Sequence, residues 1–333
     1  ASLAPGVSQT WRRRAGCRGD RAAYPMAMRA AVLHEFGTIP VFGDFREPEP
    51  QDAEEVAEVV VAGLNPVDLY IGAGRYGDRE LPSVIGLEGV ARLAAGRRVY
   101  FNGVRAPFGS MAQLAPVDPS ATFAVPDGLA PSLAVALGIA GLAAWLALDW
   151  RAHVAEGETV LVLGATSVVG QIGVQAARVL GAGRIVAAGR DREALDSLRS
   201  RGADDVVVLE GDLEGALAAA AGDGYDVILD VVYGPPLEAA LTAASTGARA
   251  VTVGANAGTT ATIPIGSLFG RTLIGHSNSH APLEVRRAAY EHMARHAAAG
   301  EISVQVERLP LSQIEQAWQR QARGPHRKIV LVP

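Results

Sequence analysis

The spacing of apolar and polar positions changes along the chain. From Met28 it is β-like: MRAAVLHEFG reads as a strand ending at a glycine turn, Glu55 to Ala62 as a second strand and Arg98 to Phe101 as a third. Pro40, Pro48, Pro50, Pro66 and Pro82, with many glycines, interrupt these segments and predict a compact β-rich unit with irregular loops. Pro126 to Gly128 reads as a turn before the alanine-rich stretch Pro131 to Leu148. The apolar run Leu129 to Leu148, rich in Ala and Gly and carrying Pro131, is expected to form a buried helix pair.

From Glu158 strand and helix alternate. Thr159 to Leu163 is a β-branched apolar run suited to a strand buried on both faces, and Ile172, Ala176, Val179 and Leu180 follow at helical spacing. Between them stand Gly164, Thr166, Ser167, Val168, Val169 and Gly170, with Gly173 beyond. A strand, tight turn and helix in that order suit a phosphate-bearing ligand, because the first N–H groups of a helix are unpaired and its dipole favours an anion. Gly164 is expected to make the turn, Gly170 to let the backbone approach a pyrophosphate, and Gly173 to let the helix lie close on the strand. Strands follow at Arg184 to Ala188, Val206 to Leu209, Val227 to Asp230 and Ala250 to Val253, with helices at Arg192 to Arg201, Leu213 to Ala221 and Pro236 to Ala244. This succession predicts an α/β chain with a doubly wound parallel sheet, its ligand at the carboxyl ends of the strands. A helix, Leu283 to Ala299, and a last β segment, Lys328 to Val332, complete the chain.

Composition narrows the partners. A chain of 333 residues with 49% hydrophobic and 20% charged residues has the makings of about two soluble domains. A net charge of −5 gives no electrostatic footprint for nucleic acid or an anionic membrane. Cys17, the only cysteine, excludes an intramolecular disulfide and a Cys-rich zinc lobe, which fits a reducing cytoplasm. Residues 1–25 carry Pro, Gly and Arg12 to Arg14 without apolar periodicity or a signal-peptide core, and are expected to form a flexible extension.

Asn65-Pro66-Val67-Asp68, Leu81-Pro82, Gly86-Leu87-Glu88-Gly89, the Gly164 to Gly170 loop, Pro310-Leu311-Ser312 and the ending Lys328-Ile329-Val330-Leu331-Val332-Pro333 recur in a fixed order over roughly 300 residues. On these blocks the chain resembles the zinc-independent medium-chain dehydrogenase/reductase superfamily, in its quinone oxidoreductase-like branch. The resemblance implies a GroES-like β-rich catalytic domain over 26–148 and 276–333 and a Rossmann cofactor domain over 149–275. It also implies a homodimer that uses NADPH to reduce quinones, enones or other activated double bonds.

Zinc-dependent relatives carry Cys where this chain has Asn65 and a His-Glu pair where it has Leu87-Glu88, so a catalytic zinc would lack two of its usual three protein ligands and no metal is expected. His292 and His296, at i and i+4, are read as a solvated helix face. For the cofactor, the end of the second strand of the parallel sheet falls on Gly189, followed by Arg190, Asp191 and Arg192. A small residue there leaves room for a 2′-phosphate and a guanidinium can pair with it, which favours NADPH over NADH. The alternative is an ordinary helix start capped by Asp191. Leu209 stands where the family often has a phosphate-side Tyr.

By the resemblance, Asn65 and Asp68 lie beside the nicotinamide while Tyr70 and Tyr76 border the substrate cleft. Tyr76 is the candidate hydroxyl that polarises a carbonyl or relays a proton to it, with loop packing as its alternative, and Asn65-Pro66 has a plain turn as its own. Gly254 and Asn256, after a strand end, and Asn278, in the returning segment, are further candidates for lining the cofactor. Two departures from the family stand out: Ala143 replaces its pocket Thr, and the connection Val90 to Arg98 is short, which is expected to open or reshape the cleft. The Ser167 hydroxyl, where the family often has Gly, is a candidate extra donor to the phosphates. A quinone or enone reductase is the favoured reading, against a non-catalytic NADPH-binding protein and, more distantly, a Rossmann-like methyltransferase.

Overall fold

The computed structural model describes residues 27–76 and 79–333; the extension expected over 1–25 lies outside them. In the first part of the chain, strands β1 (Ala27–Leu33), β2 (Val41–Arg46), β3 (Glu55–Leu64), β4 (Ser83–Val84), β5 (Glu88–Arg92), β6 (Arg98–Asn102), β7 (Leu114–Val117) and β8 (Phe123–Ala124) are short and irregularly joined. The parallel strands β9 (Thr159–Leu163), β10 (Arg184–Gly189), β11 (Asp205–Val208), β12 (Tyr225–Asp230), β13 (Ala244–Thr252) and β14 (Thr272–Gly275) come next, and β15 (Val306–Pro310) and β16 (Lys328–Val332) close the chain. The first and last groups share one sheet, ordered β15-β16-β3-β5-β6-β8 with β7 also on β3, beside a small sheet β2-β1-β4. The middle group is a six-stranded sheet in the order β11-β10-β9-β12-β13-β14. That order reverses direction between β9 and β12, the switch point at which doubly wound sheets bind their ligands.

The two large sheets are joined by the apolar helix Pro131–Arg151. At 21 residues it is long and apolar enough to cross a membrane, but 72% of its apolar window is buried inside the fold. Its Leu137, Trp145 and Leu146 share a core with Val61 and Val90 of one sheet and Val160 and Val162 of the other. The expected helix pair is thus one run, interrupted where Gly138 leaves helical geometry at φ −67°, ψ −113°.

Pattern reading placed β1, β3, β6, β9 to β13 and β16, and missed β2, β4, β5, β7, β8, β14 and β15, whether through mixed exposure or, as in the buried β4, β5 and β7, through shortness and interrupting glycines and prolines. β2 alternates exposed and half-buried residues, and β14 is a four-residue edge strand with no fully buried position. The helix expected over Pro236 to Ala244 spans Pro235–Thr242, and β13 starts at Ala244. There Thr246 and Gly247 are exposed, which hides the strand's first half from an apolar search.

Candidate active site

The parallel register aligns Leu163, Ala188, Asp230, Thr252 and Gly275 across five strands, so the residues that follow each leave the sheet at one carboxyl edge. Gly164 turns there with φ +75°, a conformation L side chains rarely adopt. Its N–H and that of Ala165 both donate to Ala188 O at 2.9 Å. Ser167 caps the helix Val168–Val179: its Oγ accepts from Gly170 N at 3.1 Å and donates to Gly164 O at 2.8 Å. The hydroxyl proton is therefore engaged within the loop and is not an extra donor for a phosphate. The N–H groups of Val168 and Val169, in the first turn, have no acceptor within the helix and are the donors of this loop. Gly170 has a role within the loop itself: a Cβ there would sit 2.4 Å from Gly164 O, so only glycine admits the turn. Gly173 does bring the helix onto the sheet, since a Cβ would meet Leu229 Cδ2 at 2.4 Å.

Gly189 ends β10 against Thr166, whose side chain would meet a Cβ at 3.4 Å. Asp191 caps the following helix, its Oδ1 accepting from Ala194 N at 3.0 Å. Arg190 and Arg192 on either side are exposed. One residue that pattern reading missed stands here. His326 packs its Nδ1 3.3 Å from Thr166 O, and Gln171 Nε2 bridges Thr166 O and His326 O at 2.8 and 2.7 Å. The C-terminal segment is thereby pinned to the loop.

Two residues further on, Lys328 enters a buried polar cluster. Its Nζ donates to Asn65 Oδ1 and to Glu88 Oε1, both at 2.6 Å. Asn65 Nδ2 donates to Glu88 Oε1 at 2.9 Å, while Glu88 Oε2 accepts from Tyr100 OH at 2.9 Å and from Ile139 N at 2.7 Å. Asp68 closes the first turn of the helix Pro66–Gly72, its Oδ2 accepting from Asn65 N at 2.8 Å. Its Oδ1 is buried without a partner. Burial raises the Asp68 carboxyl to about 7, against the opposing pull of the Asn65 N–H and the Lys328 ammonium.

Asn278 joins the same cluster from the returning segment, donating from Nδ2 to Ile139 O at 2.9 Å and leaving a buried Oδ1 unpaired. His276 leaves the sheet edge with Nε2 buried and unpaired. Burial and the neighbouring Arg151 lower it to about 4. Gly254 lies where a Cβ would strike Val231 O at 2.3 Å, so it lets two strand ends converge, and Asn256 beyond it is exposed. Asn65, Asp68 and Asn278 are thus brought together. Tyr70 and Tyr76, 48% and 58% exposed, stand outside the network. Glu88 and Lys328 were missed as site residues. A carboxylate between glycines at 86 and 89 was the available signal for Glu88; a lysine opening an apolar terminal strand looks solvated from sequence. The short β5–β6 connection does not touch the cluster: Glu88 pairs with Asn102 at one end of the hairpin, and Arg92 pairs with Arg98 at the other, about 13 Å along the strand.

Among the described residues no group of three His, Cys, Asp or Glu comes together. The rings of His292 and His296 lie tilted to one another at 5.0 Å, and His296 stacks on Trp145 at 6.2 Å. A dinucleotide, by contrast, meets suitable groups: free N–H donors at a helix start, a glycine-lined edge and, in Asn278 Oδ1, an orphaned acceptor that suits a carboxamide N–H.

A family profile described as zinc-binding dehydrogenase matches residues 168–295. Rat quinone oxidoreductase is 32% identical over 244 residues, 68% of this chain and 73% of that protein. The quinone oxidoreductase of Thermus thermophilus, solved alone and with NADPH, superposes with a TM-score of 0.76 at 29% identity, covering 92% of this chain and all of that one. A mycobacterial protein, Rv1454c, solved with NADPH, gives 0.82 at 26% identity over 92% of this chain and 100% of that one. The chain belongs to the quinone oxidoreductase-like family of medium-chain dehydrogenases/reductases. It is an oxidoreductase with the mixed architecture of that family, an antiparallel β-rich part and a Rossmann sheet.

Proposed function

We propose that this protein transfers hydride from NADPH to a quinone or an α,β-unsaturated carbonyl compound without a metal. One observation carries the reading: the segment from His326 to Lys328 ties Thr166 of the glycine loop to the buried Asn65–Glu88 cluster. Two residues span at most roughly 7 Å even when fully extended, which supports phosphate donors and a polar cluster that serve one ligand. When bound, NADPH supplies the hydride. The chain's own part is to hold the phosphates at Val168 and Val169, offer the 2′-phosphate Arg190 and Arg192, and orient the nicotinamide with Asn65 and Asn278. Asp68 holds a proton near neutral pH within the cluster, and Tyr76, with Tyr70 beside the cleft, is the hydroxyl proposed to protonate the acceptor. The solved complexes of the Thermus and mycobacterial relatives support the choice of NADPH.

The catalytic unit is proposed to comprise 26–148 and 276–333 and the cofactor unit 149–275, with two copies of the chain forming a homodimer. The test is oxidation of NADPH, followed by its absorbance, under a panel of quinones and enones. Turnover with at least one acceptor is expected. NADPH binding without oxidation under every acceptor would overturn the reading in favour of a non-catalytic binding protein.

A further inference from the structure

Lys328 is 2% exposed and Glu88 is 0% exposed, and their charged atoms lie 2.6 Å apart. A buried ion pair is a weak source of stability, because desolvating two charges costs about as much as their attraction returns. Its presence calls for another account. The local backbone is shaped around it: a Cβ on Gly63 would sit 2.7 Å from Glu88 Oε1 and 3.0 Å from Lys328 Nζ, and one on Gly138 would sit 2.1 Å from the Tyr100 ring and 2.3 Å from Glu88 Oε2. Both ends of the Asn65 amide are committed, Oδ1 to the ammonium and Nδ2 to the carboxylate. A flipped amide would point two N–H donors at the ammonium and leave Glu88 facing an oxygen, so only one orientation is allowed. Glu88 in turn holds the Ile139 peptide by its N–H, and the other side of that residue, its carbonyl, holds Asn278.

We propose that Lys328 is a positioning residue for hydride transfer: its ammonium fixes Asn65 and Glu88, and through Ile139 also Asn278, so that groups from four separate parts of the chain present one rigid face to the nicotinamide and the acceptor. Misplacement by about 1 Å at such a face can cost about 100-fold in rate. The inference rests on the reductase reading given above.

The ammonium has a second consequence. Asp68 is faced by Lys328 from β16, by Glu88 from β5 and by Arg79 from the segment before β4, besides the Asn65 N–H. Loss of the Lys328 charge leaves Glu88 unopposed, so Asp68 keeps its proton to higher pH.

The experiment compares the full-length wild type with Lys328→Met, Lys328→Arg and the double variant Glu88→Gln/Lys328→Met. The readouts are kcat, KM for acceptor and cofactor, the deuterium isotope effect with NADPH labelled at C4, the pH profile and thermal stability. Lys328→Met is expected to lower kcat by about 100-fold with KM for NADPH nearly unchanged, a larger isotope effect and a pH limb moved to higher pH. Lys328→Arg is expected to recover part of kcat. The double variant removes the stranded carboxylate and is expected to regain thermal stability without regaining kcat. Wild-type kcat in Lys328→Met, or activity that returns together with stability in the double variant, would overturn the inference and leave the reductase reading intact. A wild type that turns over no acceptor overturns both.

Discussion

The backbone N–H of Asn65 donates to the carboxylate of Asp68 at 2.8 Å, while the side chain of Asn65 turns the other way, to Glu88 and Lys328. The sequence block Asn65-Pro66-Val67-Asp68 therefore does two things at once. It starts a helix, with Pro66 in the first turn where a missing N–H costs nothing, and it aims an amide into the buried cluster.

Asp68 should make stability depend on pH in a direction unusual for a carboxylate. Burial raises it from 3.8 to about 7, so the folded chain binds its proton more tightly than the unfolded chain does. The stability it contributes is full below 3.8 and is lost as pH rises through 7. Asp68→Asn, which is neutral at every pH, is expected to unfold at a higher temperature than wild type at pH 8 and at a similar temperature at pH 4. Parallel melting curves across that range would contradict the assignment.

Gly138 has no room for a methyl group, since a Cβ would overlap Tyr100 and Glu88. Gly138→Ala is expected to cost about 1–3 kcal/mol or more through overpacking and to lower kcat with it. Gly266→Ala, at a place with nothing within 4 Å, is the control and should be near neutral. Chemical denaturation of the two variants checks both.

Arg190 is exposed beside Gly189 and is the proposed partner of the 2′-phosphate. A charge-assisted hydrogen bond is worth about 1.5–3 kcal/mol. Arg190→Ala should therefore weaken NADPH roughly 10- to 100-fold and leave NADH almost unaffected in a fluorescence titration. Equal losses for both cofactors would count against a phosphate clamp.

Ser167 is a cap and not a phosphate donor, because its hydroxyl proton is engaged by Gly164 O. Ser167→Ala should lose about 1 kcal/mol of stability, and Ser167→Gly only a few tenths. Neither should change NADPH affinity by as much as a stability-independent contact would. A large loss of affinity in a well-folded Ser167→Gly would restore the hydroxyl as a ligand group.

The edge strand β14 bears on assembly. It closes the parallel sheet, and Ile265 and Phe269 beside it are 67% and 68% exposed. A second copy against this edge would pair the strand and cover both side chains. Phe269→Glu is expected to shift the native mass by light scattering from dimer toward monomer. An unchanged mass would place the proposed dimer contact elsewhere.

What the sequence by itself determined is local. The strand Thr159–Leu163, the turn at Gly164 and the helix Val168–Val179 lie within a single run of chain, so period, glycine placement and cap all register in neighbouring residues. The parallel sheet and its switch point between β9 and β12 followed from the alternation of such units. The tertiary structure decided the polar cluster. Lys328 and Asn65 are 263 residues apart in sequence and meet because β16 lies antiparallel on β3, with Ile329 opposite Leu64. Whether a lysine or a glutamate is buried depends on a partner arriving from elsewhere in the chain, and hydrophobic patterning assigns both to solvent. The same holds for Ser167 and Gly170: their residue types announced a loop, but which atoms fill the space around them was fixed only when Gly164 O took both the hydroxyl and the room.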